Sequence, residues 1–161
     1  MMDQIIAEVE QDPYYRQATD AAHPEPIPTV ADLICNALRQ AASVLPVKAI
    51  VTYTTSGSTA LRAARTRPAA PILSLSPDVR TARRLCLVWG IHAVRTREAE
   101  RMSEIVDYAC ETAASEGLAG PGELIAIAAG VPFGVAGTTN LLRLERLPGG
   151  LSGHAQGSFA S

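Results

Sequence analysis

Four short apolar runs limit what this chain can become. They are Val47 with Ala49, Ile50, Val51 and Tyr53; Pro71-Ile-Leu-Ser-Leu-Ser76; Ile91 to Val94; and Leu124-Ile-Ala-Ile-Ala-Ala129. The first lacks polar/apolar alternation and reads as a buried, parallel strand; the fourth reads as buried too, and the second and third as strands. Between them lie segments of helical period. Val30, Leu33, Ile34, Ala37, Leu38, Ala41 and Leu45 precede the first strand, and Ser58 to Arg65 follow it. Val79, Ala82, Leu85, Cys86 and Val88 follow the second, and Met102, Ile105, Val106, Ala109 and Ala113 the third. Strands alternating with helices imply an open α/β sheet with helices on both faces, a three-layer α/β/α sandwich. Leu141 to Leu147 sets Leu142 and Leu144 against Arg143, Glu145 and Arg146, as an edge strand does.

Helix signals punctuate the pattern. Thr29-Val-Ala-Asp32 reads as a capping box with Asp in place of Glu, and Pro46 stops that helix. Pro68 closes the next one. Ser76-Pro77 reads as N-cap and first helical residue of the third, with Gly90 as its C-terminal glycine. A long helix is expected from Glu98 to Glu116, ended by Gly117, and Pro121-Gly122 turns the chain into the fourth strand. Ahead of all this, Met1 to Tyr15 reads as one amphipathic helix with Met2, Ile5, Ile6 and Val9 on a face. Thr19 to Pro28, with prolines at 24, 26 and 28, reads as a linker. The expected organisation is therefore 1–28 helix and linker, 29–148 α/β domain, and 149–161 a polar, disordered tail.

Composition excludes several classes. A formal charge of −2 gives no electrostatic case for nucleic acid or an anionic membrane. No apolar run approaches a membrane span, and the acidic start (Asp3, Glu8, Glu10) is wrong for a signal peptide. Cys35, Cys86 and Cys110 are odd in number and set in apolar contexts, so they read as reduced core thiols of a cytoplasmic protein. His23, His92 and His154 are too scattered for a triad or metal site.

The first strand runs into Thr54-Thr55-Ser56-Gly57-Ser58-Thr59 at the start of a helix. Free amides and the positive end of the helix dipole make such a turn an anion site. The plainer reading is that Ser56 or Ser58 caps the helix and Gly57 supplies a positive φ. A second glycine-rich loop, Gly130-Val-Pro-Phe-Gly-Val-Ala-Gly-Thr-Thr-Asn140, leaves the fourth strand. Ligands of open α/β sheets sit outside the carboxyl ends of the strands, so the two loops are placed to line one pocket. Arg62, Arg65 and Arg67 either contact phosphate or form a solvated face. Arg80, Arg83 and Arg84 read as solvated or as interface pairs.

The order of motifs resembles the carboxy-terminal domain of bacterial pyruvate kinases, from about Thr29 to Leu147. The likeness rests on Ala49-Ile-Val51, Thr54-Thr-Ser-Gly-Ser-Thr-Ala60, Arg67-Pro-Ala-Ala-Pro-Ile-Leu73, Thr81-Ala-Arg-Arg-Leu85 and Trp89-Gly-Ile91. It continues in Pro121-Gly-Glu123, Ala129-Gly-Val-Pro-Phe-Gly134 and Gly137-Thr-Thr-Asn140. Met1 to Tyr15 also looks like the helix that follows that family's catalytic barrel. The resemblance implies a five-stranded sheet, mostly parallel with an antiparallel last strand. It implies an effector- and subunit-binding domain of a glycolytic enzyme, part of a homo-oligomer. Thr54, Thr55, Ser56, Gly57, Ser58 and Thr59 would hold an effector phosphate. Pro132, Phe133, Gly134, Gly137, Thr138 and Thr139 would fold over it. The family's catalytic barrel is missing, so no catalytic residue, metal or cofactor is expected here; magnesium and potassium would belong to that barrel.

Two departures shape the expected ligand. Thr55 stands where fructose-bisphosphate-responsive members carry a basic residue, and Glu98 and Ile105 stand where they place a tryptophan and an arginine. A carboxylate there disfavours a bisphosphate and favours a monophosphate such as ribose 5-phosphate, glucose 6-phosphate or AMP. Trp89 does not match that tryptophan and is expected to pack at a helix end. Two other classes stay open. One is a stand-alone enzyme or phosphate-binding protein using Glu98 or Asp78 as acid or base. The other is a pairing module built on Leu141 to Leu147 and the helix from Thr29.

Overall fold

The computed structural model describes residues 2–21, 25, 27–132, 135 and 137–149. Its centre is a five-stranded sheet in the order β3-β2-β1-β4-β5. β1 (Val47–Tyr53), β2 (Ile72–Ser76), β3 (Ile91–Arg95) and β4 (Leu124–Gly130) are parallel, and β5 (Thr139–Arg146) runs antiparallel to β4. Their apolar runs are the reason in β1, β2 and β4; β3, at the edge of the sheet, has no buried residue. Every residue of β2 is buried, and in β1 only Lys48 is exposed. Strands buried on both faces need helices on both.

One face carries α3 (Val30–Val44) and α4 (Ser58–Arg65), packed through Cys35, Leu38, Ala63 and Ala64 on Ile50, Ile72, Ala126 and Ala128. α5 (Val79–Leu85) lies beside α4, since Leu85 and Thr81 come up against Gly57. The other face carries α6 (Met102–Ser115), whose Ile105, Ala109 and Ala113 rest on Val51, Leu73 and Ile127. The chain steps outward from β1 to β2 and β3, then returns beneath the sheet to β4. The reversal falls between β1 and β4, and that junction positions the site.

Helix ends follow the side chains that can satisfy free backbone groups. Thr29 caps α3 by accepting from the Asp32 amide at 3.2 Å. The Asp32 carboxylate does not close the box on Thr29. It is 1% exposed, accepts from the Ile27 amide at 2.7 Å, and pairs with Arg65 at 2.5 Å. Asp78, not Ser76, caps α5, accepting from the Arg80 amide at 2.8 Å. That helix stops at Leu85 rather than running to Gly90. Cys86 to Gly90 instead form a turn that delivers the Gly90 carbonyl to the Ile72 amide at 3.0 Å. α6 starts at Met102, not Glu98. Buried Ala99 is held by its amide on the Tyr53 hydroxyl at 2.9 Å, and the Glu104 carboxylate collects the Glu100 amide at 2.8 Å. Both contacts keep Glu98–Glu100 out of the helix.

The N-terminal segment is two helices, α1 (Met2–Gln11) and α2 (Pro13–Ala21), where one was expected. Pro13 offers no amide and disfavours helical geometry at Asp12, so the chain breaks there. Asp12 then accepts from the Tyr14 amide at 2.8 Å and starts α2, which continues through the first part of the expected linker. The expected disordered tail lies outside the described residues, apart from Gly149 at its start. Cys35 and Cys110 are buried, but Cys86 is exposed, contrary to the core placement expected for all three. Among the described residues no helix is long and apolar enough to cross a membrane.

Candidate functional site

β1 delivers the chain to the switch point and Gly57 turns it into α4. Gly57 is the N-cap of α4 with φ +89°, a backbone conformation that a side chain strains against. Being glycine, it gives the first helical turn no side-chain cap. The Gly57 amide donates to Thr54 Oγ1 at 2.9 Å, and the Ser58 amide reaches Ser56 Oγ only at 3.4 Å. Ser56 Oγ also lies 3.2 Å from Ser58 Oγ. The turn is thus held from within by Thr54, while its serine hydroxyls and the positive end of the helix face outward together.

The second loop meets it across the reversal. Thr59 Oγ1 and Thr139 Oγ1 are 2.6 Å apart and buried, which ties α4 to the start of β5. Gly130 is required where it stands: a Cβ there would lie 2.9 Å from the Thr138 carbonyl carbon and oxygen. Asn140 closes the loop base. Its amide accepts from the Val131 N–H at 2.9 Å and donates to the Val131 carbonyl at 2.7 Å, imitating a strand pair. Thr138 Oγ1 donates to the Val135 carbonyl at 2.8 Å.

Together Thr54, Thr55, Ser56, Ser58 and Thr59 face Gly130, Val135, Gly137, Thr138 and Thr139 across a polar crevice. Its enclosed part measures about 20 Å³, room for a water-sized group, and the rest opens to solvent. A wider hollow adjoins it, lined by Tyr53, Thr55, Glu98, Ala99, Glu100, Val131 and Pro132. Pro132 therefore lies in the adjoining hollow. Phe133 and Gly134 lie outside the described residues. Glu98 reaches the hollow, whereas Ile105 is fully buried against the sheet.

A cation that helical spacing did not single out reaches the turn. Arg84 of α5 donates to the Ser56 carbonyl at 2.7 Å. It is exposed, and its guanidinium comes within 3.5 Å of where a Gly57 Cβ would stand. The three arginines at the end of α4 do something else. Arg65 pairs with Asp32, Arg67 stacks on Trp89, and Arg62 has its Nη1 buried with no partner among the described residues. The Arg62 and Arg65 charges act on Cys35, but burial dominates and pushes that thiol up to about 11. Asp78 accepts from the Arg80 amide on one carboxylate oxygen and so caps α5.

A three-layer α/β domain whose polar crevice sits at the reversal between β1 and β4 belongs to the doubly wound class. Residues 32–145 match the pyruvate kinase alpha/beta domain family, and the chain belongs to that family. It is 40% identical to a pyruvate kinase of Methylorubrum extorquens over 143 residues, which cover 89% of this chain and 30% of that protein. A pyruvate kinase of Agrobacterium vitis is 36% identical over 91% of this chain and 31% of its own length. One of Geobacillus stearothermophilus is 36% identical over 89% of this chain and 24% of its own length. The chain thus spans less than a third of these relatives.

Proposed function

We propose that this chain is the effector-binding and assembly domain of a glycolytic pyruvate kinase, and that its switch-point crevice takes one phosphoryl group. Convergence of the two glycine-rich loops with Arg84 carries the reading. Backbone amides, serine and threonine hydroxyls and one guanidinium suit phosphate oxygens. Glu98 and Glu100 line the adjoining hollow, where a second phosphate would meet like charge. That favours a sugar monophosphate or AMP over a bisphosphate. Phosphoryl transfer itself belongs to the portion of the relatives that this chain does not span.

Assembly rests on two surfaces. β5 is an edge strand, and α3 turns Val30, Leu33 and Val44 outward at 62%, 66% and 69% exposure. A homo-oligomer pairing these surfaces is the expected form.

Calorimetry with ribose 5-phosphate, glucose 6-phosphate and AMP tests the ligand. At least one is expected to bind, and Ser56→Asp, which sets a carboxylate against the phosphate, is expected to abolish it. Unchanged affinity in Ser56→Asp would remove the turn from the site. Phosphoenolpyruvate and ADP are expected to give no turnover with this chain alone.

A further inference from the structure

The N-terminal helices meet the sheet domain at Trp89, on which a strained residue stacks. α4 is capped at Thr66, and the next residue, Arg67, has φ +48°, a position that glycine usually fills at a helix end. The arginine there is turned to a purpose. Its guanidinium lies 3.9 Å from the centre of the Trp89 ring, and the Trp89 indole N–H donates to Glu10 Oε1 of α1 at 2.9 Å.

The opposite end of α4 is the Gly57–Ser58 turn. The last turn of α5 joins the same two places: Arg84 holds the Ser56 carbonyl, and the turn after Leu85 carries Trp89. α4 therefore runs from the crevice to the residue that stacks on Trp89, and the last turn of α5 links the same two points through Arg84. Beside Trp89 is a hollow of about 290 Å³, lined in part by Glu10, Tyr15, Pro68 and Gly90, which leaves the indole room to shift.

We propose that Arg67, Trp89 and Glu10 form a relay that couples occupancy of the turn to the position of the N-terminal helices. The proposal rests on the reading that the turn accepts a phosphoryl group. An anion drawn to the first turn of α4 pulls on a packed rod about 12 Å long, whose far end carries Arg67. The same anion competes with the Ser56 carbonyl for Arg84 and so frees α5 as well. Both movements change the geometry around Trp89, and Glu10 passes the change to α1. The exposed Ile5, Ile6 and Val9 of α1 are the surface that would be re-aimed.

Trp89 is the chain's only tryptophan, so its emission reads the relay directly. The full chain is titrated with ribose 5-phosphate while heat and Trp89 emission are followed in parallel. Emission is expected to change with the same midpoint as the heat. Arg67→Gly suits the left-handed position and removes the stack. It is expected to keep the affinity within about twofold while losing most of the emission response. Heat without an emission change, or an Arg67→Gly response equal to wild type, overturns the relay and leaves the phosphate site standing. A ligand-free arm separates the two ideas. Thr54→Val removes the acceptor of the Gly57 amide, and Arg84→Ala frees the Ser56 carbonyl. At least one is expected to alter acrylamide quenching of Trp89. If neither does, the relay is overturned; if one does while no heat of binding is found, the link from the turn to Trp89 stands, but its control by a phosphoryl group falls together with the phosphate reading.

Discussion

Replacing Gly57 by alanine separates what the turn costs from what it does. At φ +89° an L-residue is strained by about 1–2 kcal/mol. The added Cβ would meet Leu85 Cδ2 and Thr81 Cγ2 at 3.4 Å and Arg84 Nη2 at 3.5 Å, ordinary contact distances. Packing therefore adds little, and the backbone term decides. For a chain of this length that corresponds to a loss of roughly 2–8 °C in Tm. Gly90 is the matched control, with φ +72° and nothing within 4 Å of where a Cβ would stand. Gly57→Ala and Gly90→Ala are expected to lose similar stability in urea unfolding, within about 0.5 kcal/mol of each other. Only Gly57→Ala should also weaken phosphate binding, because relief of its strain rotates the Gly57 and Ser58 amides away from the crevice. Equal binding by the two variants would refute the assignment of the turn. A stability loss confined to Gly57→Ala would refute the claim that φ, not packing, sets the cost.

Two further perturbations follow from buried groups. Asp32→Ala leaves the Ile27 amide and Arg65 without their acceptor; since the Arg65 side chain is 39% exposed, the loss is expected at about 2–3 kcal/mol, below that of a fully buried pair. A loss under about 1 kcal/mol in chemical denaturation would show that the contact is not what joins α3 to α4. Cys35 keeps its proton in the folded chain up to about 11, whereas the unfolded thiol loses it near 9.0. The unfolded state therefore holds fewer protons in that window, and stability falls by about 2–3 kcal/mol as pH rises through it. Cys35→Ala should show a correspondingly shallower alkaline decline, and identical slopes in the two proteins would contradict the burial argument.

Much of the fold was legible because it is written in local patterns. Unalternating runs such as Leu124–Ala129 mark double-sided burial, and α3 carries both its period and its stop at Pro46. Boundaries were less legible where two residues compete for one role. Ser76 and Asp78 both suit an N-cap, and only the path from β2 into α5 decides for Asp78. The Glu98–Glu100 segment has helical period, yet the Tyr53 hydroxyl, 46 positions from Ala99 in sequence, holds it out of α6. No window of sequence contains that contact.

The site divides along the same line. The Thr54–Thr59 turn and the Gly130–Asn140 loop announce themselves through glycines and hydroxyls, and topology alone brings them together. The arginines do not, because a charged residue at helical spacing carries no address. Arg62, Arg65 and Arg67 lie closest in sequence to the turn, yet two of them are engaged elsewhere, by Asp32 and by Trp89. Arg84, 28 positions from Ser56, reaches it. A faint signal was present: Gly57 and the α5 residues Thr81, Arg84 and Leu85 sit on consecutive strand-to-strand connections on one face of the sheet. Neighbouring helices of a parallel sheet pack side by side, so a long side chain of α5 can reach the start of α4, as that of Arg84, its penultimate residue, does. Charge at such a site is thus supplied by the adjacent connection, and the residue to examine first is on the next helix rather than on the one that carries the turn.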